Sequence, residues 1–310
     1  MIPQALGDAL SGEGYRSPDD LARKRARGLF QNLLSSRSPL SQNTAWGLPF
    51  AWGGTKATPP HWPTTITTST VLSGILDAWH LLDEKDVLPE VESAIRFVFD
   101  DCGILETDQG PCILYGPGDT RPILNASAFA AGVFARVGEF LGRDDLMNFA
   151  QDALLTIVRY QNDDGSWYYA PPHGEHALDD IIDNRHTGYV LEGLAEGNNL
   201  LKNEEIASSI ERGWRYLEEN LIDDGKPRWS PEQTWPIDSS DVSQSILTAV
   251  SVNKMEFAGE FANFALDKFY MGDGRFRYKV FEDGRSNDSV FIRWTQAPMY
   301  KALSKFRAKV

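Results

Sequence analysis

Gln161-Asn162-Asp163-Asp164-Gly165-Ser166-Trp167-Tyr168-Tyr169 stands between two helical patterns of opposite kind. Before it, Leu146, Phe149, Ala150, Ala153, Leu154, Ile157 and Val158 follow the i, i+3, i+4, i+7 rule, which gives a helix one wet face. After it, Thr187-Gly188-Tyr189-Val190-Leu191-Glu192-Gly193-Leu194 is apolar or small nearly all round, as in a helix buried on every side. Asp-Gly followed by aromatic residues reads as a tight turn or short hairpin. The unit is therefore outer helix, aromatic hairpin, inner helix.

The same unit recurs along the chain. Outer helices are expected around Ala22–Leu33, Val91–Val98, Leu146–Val158, Ile206–Leu221 and Phe257–Phe269. Ser17-Pro18-Asp19-Asp20 supplies the first with a capping residue, a proline and early acids. Taking Ser69, Asn125, His186, Asp241 and Trp294 as inner-helix markers, the spacings are 56, 61, 55 and 53 residues. Two-helix repeats of this length stack as an open solenoid or close into a ring. Five units with a buried inner layer favour an all-α, α/α-toroid fold, an incomplete or closed ring of about five hairpins joined by short β-hairpin-like turns. We expect one domain over residues 1–310, with 1–16 a loose N-terminal extension.

Gln161-x3-Gly165-x-Trp167 resembles the Q-x3-G-x-W signature of squalene–hopene and related cyclases, and the same words occur in polysaccharide-lyase toroids. Asp183-Asn184-Arg185-His186-Thr187-Gly188, with Pro236-Ile237-Asp238 and Arg293-Trp294-x-Gln296-Ala297, resembles a poorly characterised bacterial family of prenyltransferase-like toroids. Its members tend to be encoded among capsule and surface-polysaccharide genes. The resemblance covers about residues 60–305 and implies a toroid; its implication for chemistry is weak.

Composition excludes several classes. A formal charge of −14 argues against nucleic acid, which calls for clustered Lys and Arg; the run Arg23–Arg27 alternates with apolar residues as a solvated helix face does. No basic-then-apolar leader opens the chain and no long uninterrupted apolar stretch occurs, so a cytoplasmic protein without a membrane span is expected. Two cysteines, Cys102 and Cys112, suit a reducing compartment, with a bridge between them left open. His173-x2-His176 is too weak a spacing for zinc. Neither metal nor cofactor is expected.

In a ring of hairpins the inner-helix N-termini converge on one mouth, and here they are polar. His186 is the candidate for proton transfer, held in one tautomer by Asp183 or Asp241, with Asp238 and Tyr169 as further catalytic candidates. Asn125, Asn184, Arg185, Arg293, Trp294, Gln296, Thr68 and Trp62 are candidates for binding. Asn125, Asn184 and Ser239 or Ser240 could equally be helix caps. A buried Arg or His, in contrast, calls for a partner or ligand.

Two patterns are discounted. Asp179-Asp180-Ile181-Ile182-Asp183 matches the DDxxD of terpene synthases but lacks a second metal motif. Asp238-Ser239-Ser240-Asp241 departs from the DxDD acid of cyclases at Ser240. The expected partner is a saccharide or sugar acid. The leading reading is lyase- or epimerase-type proton abstraction from a uronic-acid-containing saccharide of surface-polysaccharide biosynthesis or processing. An inverting hydrolase using paired Asp residues, an isoprenoid-binding or cyclase-like protein, and a non-catalytic sugar-binding subunit are the alternatives.

Overall fold

The computed structural model describes residues 1–52, 58–171 and 176–310. Helices α1 (Pro3–Gly14), α3 (Thr65–Ala78), α5 (Leu124–Leu141), α7 (Asn184–Leu201), α9 (Ser239–Ser251) and α11 (Ala297–Arg307) form the inner layer. Helices α2 (Asp20–Ser35), α4 (Glu84–Arg96), α6 (Asp144–Arg159), α8 (Glu204–Asn220) and α10 (Met255–Phe264) alternate with them on the outside. Each inner helix packs on the next, and α11 packs on α1, so the ring is closed. The chain is an α/α toroid. Short antiparallel hairpins, such as Ile104–Thr107 with Gly110–Ile113, link outer to inner helices.

The expected unit is present, with one inner helix more than the sequence pattern gave. Residues 1–16 are not a loose extension: Pro3–Gly14 is the sixth inner helix, with Asp8, Leu10, Ser11 and Glu13 buried. It fits because Gly7 and Gly74 let α1 and α3 approach backbone to backbone; a Cβ on Gly74 would collide with the Gly7 carbonyl. The N-cap of α2 is Asp19, whose carboxylate accepts the Ala22 N–H at 2.6 Å, two residues later than the Ser17 reading.

The aromatic hairpins have a mechanical role. Trp167 is buried and its indole N–H donates to the Ile157 carbonyl at 2.9 Å, in the last turn of α6. Trp46 does the same for Leu33 at 2.8 Å, in the last turn of α2. The Trp167 indole satisfies a carbonyl that a helix end leaves without an intrahelical partner, and the Trp46 indole adds to the Ser36 bonds already on Leu33. Gln161 ties this turn to the next outer helix by donating to the Gly165 and Ser209 carbonyls at 2.9 and 3.0 Å.

Below the mouth, the ring's axis is filled by charge. Lys301 of α11 lies 3.6 Å from Asp8 of α1 and 3.9 Å from Glu192 of α7. Lys305 pairs with Glu196 at 2.6 Å and donates to Ser251 of α9 at 2.9 Å. Arg136 of α5 pairs with Asp77 of α3 at 2.5 Å, and Ser11 of α1 also bonds Asp77. All six inner helices are joined in this way. Although burial alone would favour neutral Lys301, Glu192, Asp8 and Asp77 hold its pKa above the usual lysine value. Lys301→Ala is expected to destabilise the fold by about 3–5 kcal/mol, the cost of leaving buried carboxylates uncompensated. Equilibrium denaturation would measure it, and a loss below about 1 kcal/mol would show that the network is not what holds the ring.

Candidate functional site

The mouth formed by the inner-helix N-termini holds a cavity of about 370 Å³, within the usual size range of small-ligand sites. Parallel inner helices aim their positive ends at it, a field that favours anions. Tyr115, Tyr169 and Tyr278 reach its wall from the hairpins, Arg185, His186 and Tyr189 from the start of α7, and Asp238, Ser240 and Gln244 from the start of α9. Arg293 and Trp294 come from the tight turn Ile292–Gln296 that precedes α11, and Gln4 from α1.

His186 is fixed twice through one carboxylate. Asp183 caps α7: its Oδ1 accepts the His186 backbone N–H at 2.8 Å, while its Oδ2 lies 2.6 Å from His186 Nδ1. Burial is the largest single influence and would raise the Asp183 pKa, but the hydrogen bonds and charge of His186, with Arg185 nearby, together hold the carboxyl below its ordinary value. An ionised Asp183 selects the tautomer with the proton on Nδ1, leaving Nε2 basic. Among the described residues no group bonds Nε2. Tyr169 packs edge-on to the imidazole, ring centroids 4.9 Å apart, and burial pushes its phenol well above the usual range. Tyr169 is thus a proton donor at neutral pH, not a base.

Arg185 is already neutralised. Its Nη2 donates to Asp241 at 2.8 Å and to both oxygens of Asp238 at 3.2 Å. Asp238 also caps α9, accepting from the Ser240 and Asp241 backbone N–H groups and from the Ser240 hydroxyl. Asp241 does not line the cavity; it stands behind Arg185, fully buried, and burial pushes its carboxyl up to about 7 even though Arg185 pulls it down. Neither carboxylate is free in the way a hydrolytic acid and base need to be.

Arg293 differs. Its Nε donates to Gln4 at 2.7 Å and its guanidinium lies over Trp52 and Trp294, 5.6 and 5.5 Å from the ring centroids. Among the described residues no carboxylate pairs with it. Burial lowers its pKa, yet an arginine stays charged. Arg293 Nη1, Arg185 Nε and Asn125 Nδ2 are buried donors without a partner, and all three residues line the cavity. Unpaired buried donors are costly, so this wall suits a ligand rich in acceptors and carrying negative charge.

Some expected residues lie elsewhere. Asn184 is neither cap nor wall: it donates to the Leu221 carbonyl at 3.3 Å and accepts from Ser245 at 2.9 Å, holding α7 to its neighbours. Gln296 clamps the Phe276 backbone at 2.7 and 3.2 Å, and Thr68 accepts the Trp46 N–H at 3.2 Å. Asn125 is not a cap either, since the N-cap of α5 is Ile123, with no side-chain bond. Trp62 lines a side lobe of about 120 Å³ rather than the central cavity. A second lobe of about 200 Å³ opens past His186 toward Trp229. Gln4, Ser243, Gln244 and Tyr189 are further wall residues that only alignment with the inner-helix starts could have found, and Trp52, which lies ahead of α3, escapes even that. Asp179 of the DDxxD match is buried in a turn and paired with Arg121. His173 lies outside the described residues. Both cysteines are free and buried. No helix among the described residues is long and apolar enough to cross a membrane.

No family model matches the sequence, and no curated protein is found similar to it. Solved structures do match in fold. A cellobiose 2-epimerase from Bacillus thermoamylovorans superposes with a TM-score of 0.76 at 8% identity, covering 98% of this chain and 86% of that one. A D-mannose isomerase gives 0.76 at 9% identity, with 100% and 88% covered. A GH76 α-mannanase from Bacteroides thetaiotaomicron gives 0.68 at 15%, with 99% and 84% covered. At these identities the likeness is one of fold.

The Asp241 carboxyl makes a prediction about pH. With a folded pKa of about 7 against an ordinary 3.8, the folded chain keeps a proton there that the unfolded chain has released. This group's contribution to stability is complete below pH 3.8 and is lost as pH rises toward 7. Asp241→Asn has no proton to lose. Its stability relative to the parent chain should rise by about 1 kcal/mol per pH unit between those values. Urea unfolding at several pH values measures this; a pH-independent difference would contradict it.

Proposed function

We propose that the chain is a carbohydrate-active enzyme that abstracts a proton from a saccharide carrying a carboxylate, with His186 as the base. The observation that carries the reading is the pairing of the Asp183–His186 dyad with an unpaired buried cation, Arg293, on the wall of one cavity. A sugar acid matches both. Its carboxylate supplies the charge that Arg293 lacks, and its hydroxyls supply acceptors for Asn125 and Arg185.

The chemistry follows from those roles. Nε2 of His186 takes the proton on the carbon next to the carboxylate. The electron pair moves into the carboxyl group, where the Arg293 guanidinium stabilises the added charge. Returning a solvent-derived proton to the opposite face, while His186 releases the proton it took to solvent, gives the epimer. Expelling the neighbouring glycosidic oxygen gives an unsaturated product, the leaving oxygen taking the proton that His186 carries. The toroids named a sugar epimerase and a D-mannose isomerase support a proton-transfer reading by analogy of fold. The polar wall counts against an isoprenoid ligand. The resemblance of Asp183–Gly188 and Arg293–Ala297 to a surface-polysaccharide family supports action on an intermediate of such a polymer.

Incubation with uronate-containing oligosaccharides in deuterated water tests the reading. Epimerisation appears as deuterium at C5 and elimination as ultraviolet absorbance of the unsaturated uronate. His186→Gln should lower the rate by about 10²–10⁴, and Arg293→Gln by about 10²–10³, with unchanged circular dichroism. Asp183→Asn retains a good cap but presents an amide to Nδ1, so it should lower the rate while leaving α7 intact. A broad panel that yields neither signal sinks the proposal.

A further inference from the structure

We propose that the side lobe lined by Phe50, Trp52, Trp62, Tyr115 and Asp119 is a second sugar subsite that takes an uncharged pyranose ring. The substrate is then an oligosaccharide whose acidic residue has a neutral neighbour. This rests on the central cavity being the sugar-acid site.

The lobe and the cavity share Trp52, Tyr115 and Arg293 as wall, so a chain leaving one enters the other. Their chemistry differs. Arg293 borders both, but the unpartnered donors of Arg185 and Asn125 belong to the central wall alone. The lobe carries a carboxylate, Asp119, half-buried, with burial raising its pKa. Among the described residues no side chain bonds Asp119, because the nearby Arg121 is committed to Asp179. A carboxylate there repels a second acid and accepts hydroxyl hydrogens from a neutral ring. Trp62 Nε1, likewise without a partner among the described residues, offers the complementary donor. Both atoms flank Gly116, where a Cβ would stand 3.0 Å from Trp62 Nε1 and 3.3 Å from Asp119 Oδ2.

The aromatic groups point the same way. Phe50 and Trp52 are 40% and 49% exposed, which leaves ring surface free to meet a ligand. They form an edge-to-face series, Phe50 to Trp52 at 6.4 Å and Trp52 to Trp294 at 6.0 Å, that runs from the lobe into the cavity. Arg293 lies against both tryptophans, so the series also ends on the cation that reads the acid. Flat apolar faces flanked by one acceptor and one donor match a pyranose, which is apolar on its C–H faces and polar at its edge.

Calorimetric titration with a methyl uronide and with a panel of hexose–uronate disaccharides of differing linkage tests the subsite. At least one disaccharide should bind about tenfold tighter than the methyl uronide. Phe50→Ala and Asp119→Asn should each reduce that advantage severalfold and leave affinity for the methyl uronide unchanged. Phe50 is exposed, so its removal does not threaten the fold. If every disaccharide binds no tighter than the methyl uronide, or if the advantage survives both variants, the subsite is refuted while the sugar-acid site stands. If neither the uronide nor any disaccharide binds, the sugar-acid reading and the subsite both fall.

Discussion

Lys301, held between Asp8 of the first inner helix and Glu192 of the fourth, is the contact on which the closed ring turns. Small residues on the inner helices let the backbones come close, as Gly132 against Gly193 does between α5 and α7, but apolar contact alone is indifferent to sliding. A buried ion pair is not: a carboxylate displaced from its ammonium is left desolvated and alone. Asp8, Asp77, Glu192 and Glu196 face Lys301, Lys305 and Arg136, one negative charge in excess. Burial pushes the Asp8 carboxyl up to about 6, so the excess is carried at neutral pH and is relieved there only as pH falls below about 6. The network thus sets helix register as well as closure, at the cost of holding charge out of water.

That register reaches the cavity directly. Glu192 accepts from Gln244 at 3.0 Å, and Gln244 is part of the cavity wall. Lys301 lies over the ring of Phe129, which packs edge-on to Tyr189, another wall residue. The floor of the site is therefore the top of the axial network. One turn above it, Asp183 and Asp238 serve as helix caps and as partners of His186 and Arg185, so capping and site geometry are one construction.

Much of this was legible in the sequence because the repeat is mechanical. Trp46 and Trp167 do the same work at equivalent helix ends, and Gly-aromatic turns between wet-faced and all-apolar helices expose the period. Helix α1 was illegible for a physical reason: its Gly7, Asp8, Ser11, Gly12 and Glu13 look like solvated chain, and become buried only because α3 and α11 supply partners for them. The site was half legible. His186, Asp183, Arg185 and Arg293 are conspicuous because charge at the start of an apolar helix needs an explanation. Asn184 sits beside them in sequence, but a step of one residue turns a side chain by about 100° on a helix, and its amide faces a neighbouring helix instead of the mouth. Trp52 and Tyr115 come from hairpins whose geometry no periodicity encodes.

The toroid itself is shared by isomerases, epimerases and hydrolases, so the reaction has to be argued from side chains. Here the decisive feature is how the mouth distributes its ions. The three carboxylates at the inner-helix starts are already engaged, Asp183 with His186 and Asp238 and Asp241 with Arg185, which leaves Asp119 of the side lobe as a single carboxylate without a side-chain partner among the described residues. A pair of free carboxylates, which inverting hydrolysis requires, is not left over. One base, His186, and one cation, Arg293, are. A base with a fixed tautomer opposite a cation with no counter-ion has little to offer a neutral acetal, but has what is needed to remove a proton beside a carboxylate and hold the charge that follows. On the proposed reading, the inner-helix ends and Arg293 would draw an anion to the mouth against the net negative charge of the whole chain.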